Sequence, residues 1–198
     1  MKTTLPFVAA VLSSMLWFAA PLTPSHAFDA RELLDELAQN KQGRATFVET
    51  KYLAVLDRPV KSSGILSFHS PARFEKTTLE PKPETLVLDG DTLTVTRGGR
   101  TSAVDLRSHA QVLSFVEAIR GVLLGDIQLL EHAYRIQMSG SEESWQMLLT
   151  PQDKQLATAI KQIKIGGGGG QVRTLEYAER GGDRSVMRID PIPPSVEK

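Results

Sequence analysis

This chain of 198 residues predicts an α+β fold built on one large antiparallel sheet. Two observations carry that expectation. The stretch from Gly64 to Val95 holds three apolar, β-branched segments, 64–68, 70–74 and 84–95. Pro71, Pro81, Pro83 and Asp89-Gly90-Asp91 separate them, as turns separate consecutive antiparallel strands. Beyond residue 133 five further segments alternate with a period of two. Their spacing is that of a strand-to-strand meander, which argues against a parallel βαβ sheet.

The elements follow in order. Ala30–Ala38 places Leu33, Leu34, Leu37 and Ala38 on one helical stripe, with Asp29 as N-cap and Glu32 three residues later. Gly43 ends that segment. Ala45–Leu56 predicts a long strand with Val48, Tyr52 and Ala54 on one face and Phe47, Leu53 and Val55 on the other. Val60–Phe68 is its hairpin partner across Asp57-Arg58-Pro59. Asp89-Gly90 between Leu86-Val87-Leu88 and Leu93-Thr94-Val95 predicts a type I′ hairpin. A second helix is expected over about Ser108–Leu124, where Val112, Phe115, Val116, Ile119 and Leu123 share a wide stripe. Gly121 and Gly125 weaken or end it. A short third helix starts at Asp126 and includes Leu129 and Leu130. Strands then follow at Tyr134–Met138, Trp145–Leu149, Ile160–Ile165, Val172–Tyr177 and Ser185–Ile189.

Residues 1–27 read as a cleavable signal peptide. Lys2 supplies the basic start, Leu5–Ala20 is uncharged, and Ser25-His26-Ala27 offers small residues at the positions a signal peptidase reads. As a membrane anchor the apolar run is shorter than the roughly 20 residues a span needs, and no basic stop-transfer cluster follows it. Residues 28–198 are then expected to form a single domain, exported, soluble and periplasmic. The charges balance at 23 basic and 23 acidic residues, which lacks the electrostatic footprint of a nucleic-acid binder. There is no cysteine, hence no disulfide framework and no lipid-modified N-terminal cysteine.

In that order these residues resemble the LolA-type outer-membrane lipoprotein carrier family. The resemblance rests on Phe47-x-x-x-Lys51, on Gly64-x-Leu66-x-Phe68-x-x-Pro71-x-x-Phe74, on Leu86–Leu93 with its central Asp-Gly-Asp, and on Trp145-x-Met147-x-Leu149-x-Pro151. It implies a strongly curved antiparallel sheet forming an incomplete, open β-barrel under a lid of short α-helices. It also implies a non-enzymatic carrier that takes acyl chains into an apolar cavity. The partners it implies are an inner-membrane export complex as donor and an outer-membrane acceptor; no cofactor is expected, and a monomer is. The main carrier branch has an arginine immediately before the proline of the Pro-x-x-Phe segment, where it helps hold the lid closed. Here that position is Ser70, and Arg73, three residues on, falls on the opposite strand face. With Ile119–Asp126 and Gly182–Ile189, this departure resembles a divergent branch that accompanies envelope-lipid or polyene-lipid export. The implied cargo therefore extends from lipoprotein acyl chains to glycolipid or pigment lipid.

Candidate cavity residues are Phe47, Leu66, Phe68, Phe74, Leu86, Leu88, Leu93, Val112, Phe115, Val116, Ile119 and Trp145. Each is equally at home in a packed core. The alternative function is an envelope interaction module without lipid cargo, docking a membrane export complex. Other motifs reduce to structure. Gly166–Gly170 lacks the Lys-Ser/Thr of a phosphate loop and is expected as a flexible hairpin loop. His69, His109 and His132 are isolated and lack metal-ligand spacing. Ser141 and Ser144 have no nucleophile elbow around them. Asp89 and Asp91 are explained by their turn.

Overall fold

The computed structural model describes residues 29–193, so the expected signal peptide lies outside the described residues. The helix α1 spans Ala30–Leu37, capped by the Asp29 carboxylate, which accepts from the Arg31 amide; its apolar stripe buries Leu33, Leu34 and Leu37. The first group of strands is β1 (Gln42–Tyr52), β2 (Val60–His69), β3 (Arg73–Glu80), β4 (Glu84–Asp89), β5 (Thr92–Arg97) and β6 (Arg100–Asp105). A single 3-10 turn at Leu106–Ser108 leads into α2 (Ala110–Leu124) and α3 (Ile127–Ala133). The second group is β7 (Tyr134–Ser141), β8 (Ser144–Pro151), a one-turn α4 (Leu156–Ala159), β9 (Ile160–Gly168), β10 (Gln171–Glu179) and β11 (Arg184–Pro191).

All eleven strands join one antiparallel sheet in the order β6-β5-β4-β3-β2-β1-β11-β10-β9-β8-β7. The sheet does not close: β6 and β7 are its two free edges. The chain passes from one edge to the other through residues 106–133, so the connection between edges is itself the lid that carries α2 and α3. This is the open barrel under short helices that the family resemblance implies.

Register fixes one inward face across the whole sheet. Phe47 stands opposite Gly64 and Ile189, Leu66 opposite Lys76, Lys76 opposite Leu86, Leu86 opposite Val95, Met187 opposite Leu175, and Ile165 opposite Met147. Because side chains alternate, one slip anywhere would turn this face outward. The fully buried core lies toward the second group of strands. Met147, Leu149, Ile163 and Ile165 meet Leu33, Leu34 and Leu37 of α1, Ala118 and Val122 of α2, and Leu130 of α3.

Several expected boundaries shift. The first strand stops at Tyr52 rather than Leu56: Leu53–Leu56 turns on itself, Leu56 N–H donating to Leu53 C=O, and the Ala54 amide is drawn off to the Asp183 carboxylate at 2.7 Å. Ser70–Ala72 is a turn, and the strand expected there runs instead over β3. The strand β6 went unpredicted because Arg100-Thr-Ser-Ala-Val-Asp105 carries few apolar residues, as befits a free edge. At the β4–β5 turn only Gly90 has positive φ (55°), with Asp91 on the ordinary side, which fits a type II′ turn rather than I′. The glycine run is not one flexible loop. Gly166–Gly168 continues β9, where a Cβ on Gly167 would strike the Gln171 carbonyl and the Trp145 ring, and only Gly169-Gly170 turns.

Candidate functional site

Between α2 and the inward face of the sheet lies a cavity of about 1380 Å³. Its composition follows from two amphipathic elements facing each other. On β2–β5 the inward positions supply Leu66, Phe68, Phe74, Leu86, Leu88 and Leu93. From above, α2 lowers Val112, Phe115, Val116, Ile119 and Leu123. The helix is apolar nearly all round: Ala118, Gly121 and Val122 pack into the core on its other side, Gly121 directly under the Leu130 side chain. One flank serves the fold and the other faces open space.

Ten of the twelve candidate residues thus meet around one cavity. Phe47 and Trp145 do not line it. Phe47 is fully buried under the Lys76 ammonium, which sits 4.8 Å from its ring centroid, and Trp145 is packed in the core against the Gly167 backbone. Part of the wall was not anticipated. Met187 and Ile189 on β11, Leu175 and Tyr177 on β10, Val172 and Ala45 complete the far side. Their alternation was visible, but nothing in it distinguished cavity wall from core. Phe115 closes that flank edge-on to Tyr177, ring centroids 4.9 Å apart. Burial, then the neighbouring Glu179, push the Tyr177 hydroxyl up to about 12, so it stays protonated.

The wall also holds charge. Glu49 points inward from β1 with 5% exposure. Its carboxylate accepts from Lys76 Nζ at 2.5 Å, Ser185 Oγ at 2.6 Å and Ser62 Oγ at 3.4 Å, with Lys51 Nζ at 3.6 Å. Burial raises its pKa, but the Lys76 charge, the hydrogen bonds from Lys76 and Ser185 and the Lys51 charge outweigh burial and hold it below the ordinary value. A buried carboxylate so fully partnered stays ionised. Ser62, Lys76 and Ser185 were not singled out from sequence, although strand parity puts Glu49 on the same face as Phe47.

Arg120 ties the lid to the β4–β5 turn of the open wing. Arg120 of α2 donates from Nη2 to the Gly90 carbonyl at 2.6 Å, and its Nη1 lies 3.7 Å from the Asp91 carboxylate. Ser70, the residue immediately before Pro71, donates its amide to Lys41 C=O. Arg73 pairs on the outer face with Asp89 and Glu75. Among the described residues no group of three His, Asp or Glu side chains is placed to hold a metal ion. None of the described helices is long and apolar enough to cross a membrane.

Known proteins give this geometry a context. The family model for outer membrane lipoprotein carrier protein LolA-like matches residues 22–188. No curated protein sequence matches the chain. Among solved structures, MucB is similar with a TM-score of 0.50 at 16% identity, covering 86% of this chain and 60% of that one. A LolA superfamily protein from Nitrosomonas europaea matches with a TM-score of 0.42 at 9% identity, over 83% of this chain and 92% of the other. The Mycobacterium tuberculosis lipoprotein LppX matches at 0.39 and 13%, over 84% and 98%. At its identity the MucB likeness speaks to fold alone. The family match spans most of the sequence, and by it this chain belongs to the outer membrane lipoprotein carrier protein LolA-like family.

Proposed function

We propose that this protein is a non-enzymatic periplasmic carrier. It takes acyl chains of a lipoprotein or envelope lipid into the cavity under α2. It receives them from an inner-membrane export complex and releases them to an outer-membrane acceptor. Residues 1–27 act as the cleaved signal, and residues 28–198 work as one monomeric domain.

The observation that carries the reading is the cavity of about 1380 Å³ with its apolar walls. It exceeds the roughly 300–1,000 Å³ typical of small-ligand pockets. Each methylene kept from water is worth about 0.8 kcal/mol, so a 16-carbon chain crossing an aqueous space needs shelter worth on the order of 12 kcal/mol. A uniformly packed concavity would have favoured the interaction module without cargo; large apolar side chains around open space favour the carrier. Family membership supports the same class of role.

Native mass spectrometry of protein purified from periplasm without detergent, followed by organic extraction, tests it. A stoichiometric acyl-bearing ligand is expected. A clean apo mass that persists after incubation with host lipid extract and lipoproteins would move the reading to the interaction module.

A further inference from the structure

The cavity wall is not uniformly apolar, and the exception is concentrated. Glu49, Lys51, Lys76 and Ser185 all line it where β1 runs between β11 and β2, with β3 on the far side of β2. Two ammonium groups lie against one carboxylate, one at each of its oxygens. Arg44, Glu75, Glu179, Asp183 and Arg184 also line the cavity. Asp183 holds the Ala54 amide, Glu75 pairs with Arg73, and the Arg184 guanidinium stacks 3.8 Å above the Tyr52 ring. Within the cluster itself the ammonium groups of Lys51 and Lys76 outnumber the Glu49 carboxylate two to one.

The satisfaction of this cluster is lopsided. Glu49 has donors on both oxygens. Lys76 has three N–H donors but, among the described residues, Glu49 as its hydrogen-bond acceptor. Its side chain keeps 21% exposure and faces the cavity. Removing ammonium donors from water without supplying acceptors is costly, so a wall built only for hydrocarbon would not place them here.

We propose that Lys76, with Lys51 beside it, is a headgroup site. It takes an anionic oxygen, carboxylate or phosphate, of an amphiphile whose chain lies along Leu66, Leu86 and Leu88. Glu49 serves as a positioning residue that holds the Lys76 ammonium against the Phe47 ring. The site rests on the acyl-chain reading above and adds selectivity to it: a wall with fixed donors discriminates against a ligand that lacks the matching acceptor.

Competition against a fluorescent acyl probe tests this on the full chain, with sodium palmitate, 1-palmitoyl lysophosphatidate and hexadecanol as monomers. Both anions are expected to compete about tenfold or more better than hexadecanol, the size of one charge-assisted hydrogen bond. A preference between the two names carboxylate or phosphate as the natural head. In the Glu49→Gln/Lys76→Met double variant, which leaves no unpaired buried charge, the gap should collapse while hexadecanol binding holds. Lys76→Arg should retain the gap, and Lys51→Met, at a half-exposed position, should narrow it without touching the buried pair. Hexadecanol competing as well as the anions, or a gap that survives the double variant, overturns the headgroup site and leaves the chain cavity standing. Failure of all three ligands overturns both.

Discussion

The two wings of the sheet have the same inward pattern and opposite fates. On β8 and β9 the inward residues Met147, Leu149, Ile163 and Ile165 are at most 1% exposed, pressed under α1, α2 and α3. On β4 and β5 Leu88 is buried, but the inward residues Leu86, Leu93 and Val95 stay half-buried although they are just as apolar. What differs is the cover. Three helices fill the first concavity, whereas one flank of α2 stands over the second and leaves it open. Apolar alternation specifies which face turns inward; it does not specify whether anything fills the space there.

The sharpest way to break this contrast is to truncate one side chain in each wing. Leu149→Ala should cost about 2–5 kcal/mol, because it removes a fully enclosed side chain and leaves a hole that rigid neighbours cannot close. The midpoint of chemical denaturation reads this directly, and a loss below about 1 kcal/mol would mean the β8–β9 wing is not the packed one. Arg120→Met should cost less, about 1–3 kcal/mol, by removing the charged donor to the Gly90 carbonyl. Its distinguishing sign is faster amide hydrogen exchange in α2 and in the β4–β5 turn, with β8 and β9 unchanged. Uniform acceleration would show that the lid has no separate attachment to the open wing.

A smaller, pH-gated change should appear at the seam between the wings. Glu49 has a depressed folded pKa, so the stability it contributes is present in full above its ordinary value of 4.5 and is lost as pH falls through the folded value. Thermal unfolding followed downward from pH 6 should show this fall, and the Glu49→Gln/Lys76→Met variant should flatten it. Smallest of all is Leu86→Ala, about 1 kcal/mol or less, since a half-exposed leucine loses only part of its burial. Its effect should fall on acyl-probe affinity instead. A large loss of stability with unchanged probe binding would put Leu86 in the core.

The same contrast explains what could be read from the amino acids. The helix over Ala30–Leu37, the stripe from Val112 to Leu123 and the five late strands were legible because each depends on periodicity within a single segment. The inward face of the open wing was legible too, through Leu66, Phe68, Phe74, Leu86, Leu88 and Leu93. Phe47 and Trp145 have the same composition and parity as those residues, yet they pack away from the cavity, because their surroundings come from Lys76 and Gly167 on other strands. The Glu49 cluster was hidden for the same reason: Ser62, Lys76 and Ser185 converge on it from three other strands, 13, 27 and 136 residues away. Arg120 finds Gly90 across 30 residues. Pairings of that kind have no local signature.

The strand β1 sits in the middle of the sheet, hydrogen-bonded to β2 on one side and to β11, the last strand, on the other. As the chain folds, β1–β6 can assemble by successive hairpins. The other edge of β1 must wait for the end of the chain, with Ala45 meeting Pro191. Loops that long close slowly, and an unpaired apolar strand is prone to wrong partners meanwhile. A chain folded through β10 therefore has the β2–β5 wall of its greasy trough but lacks the β11 wall of Met187 and Ile189, and its seam is still open. The molecule must be kept apart from its own kind until its final residues arrive.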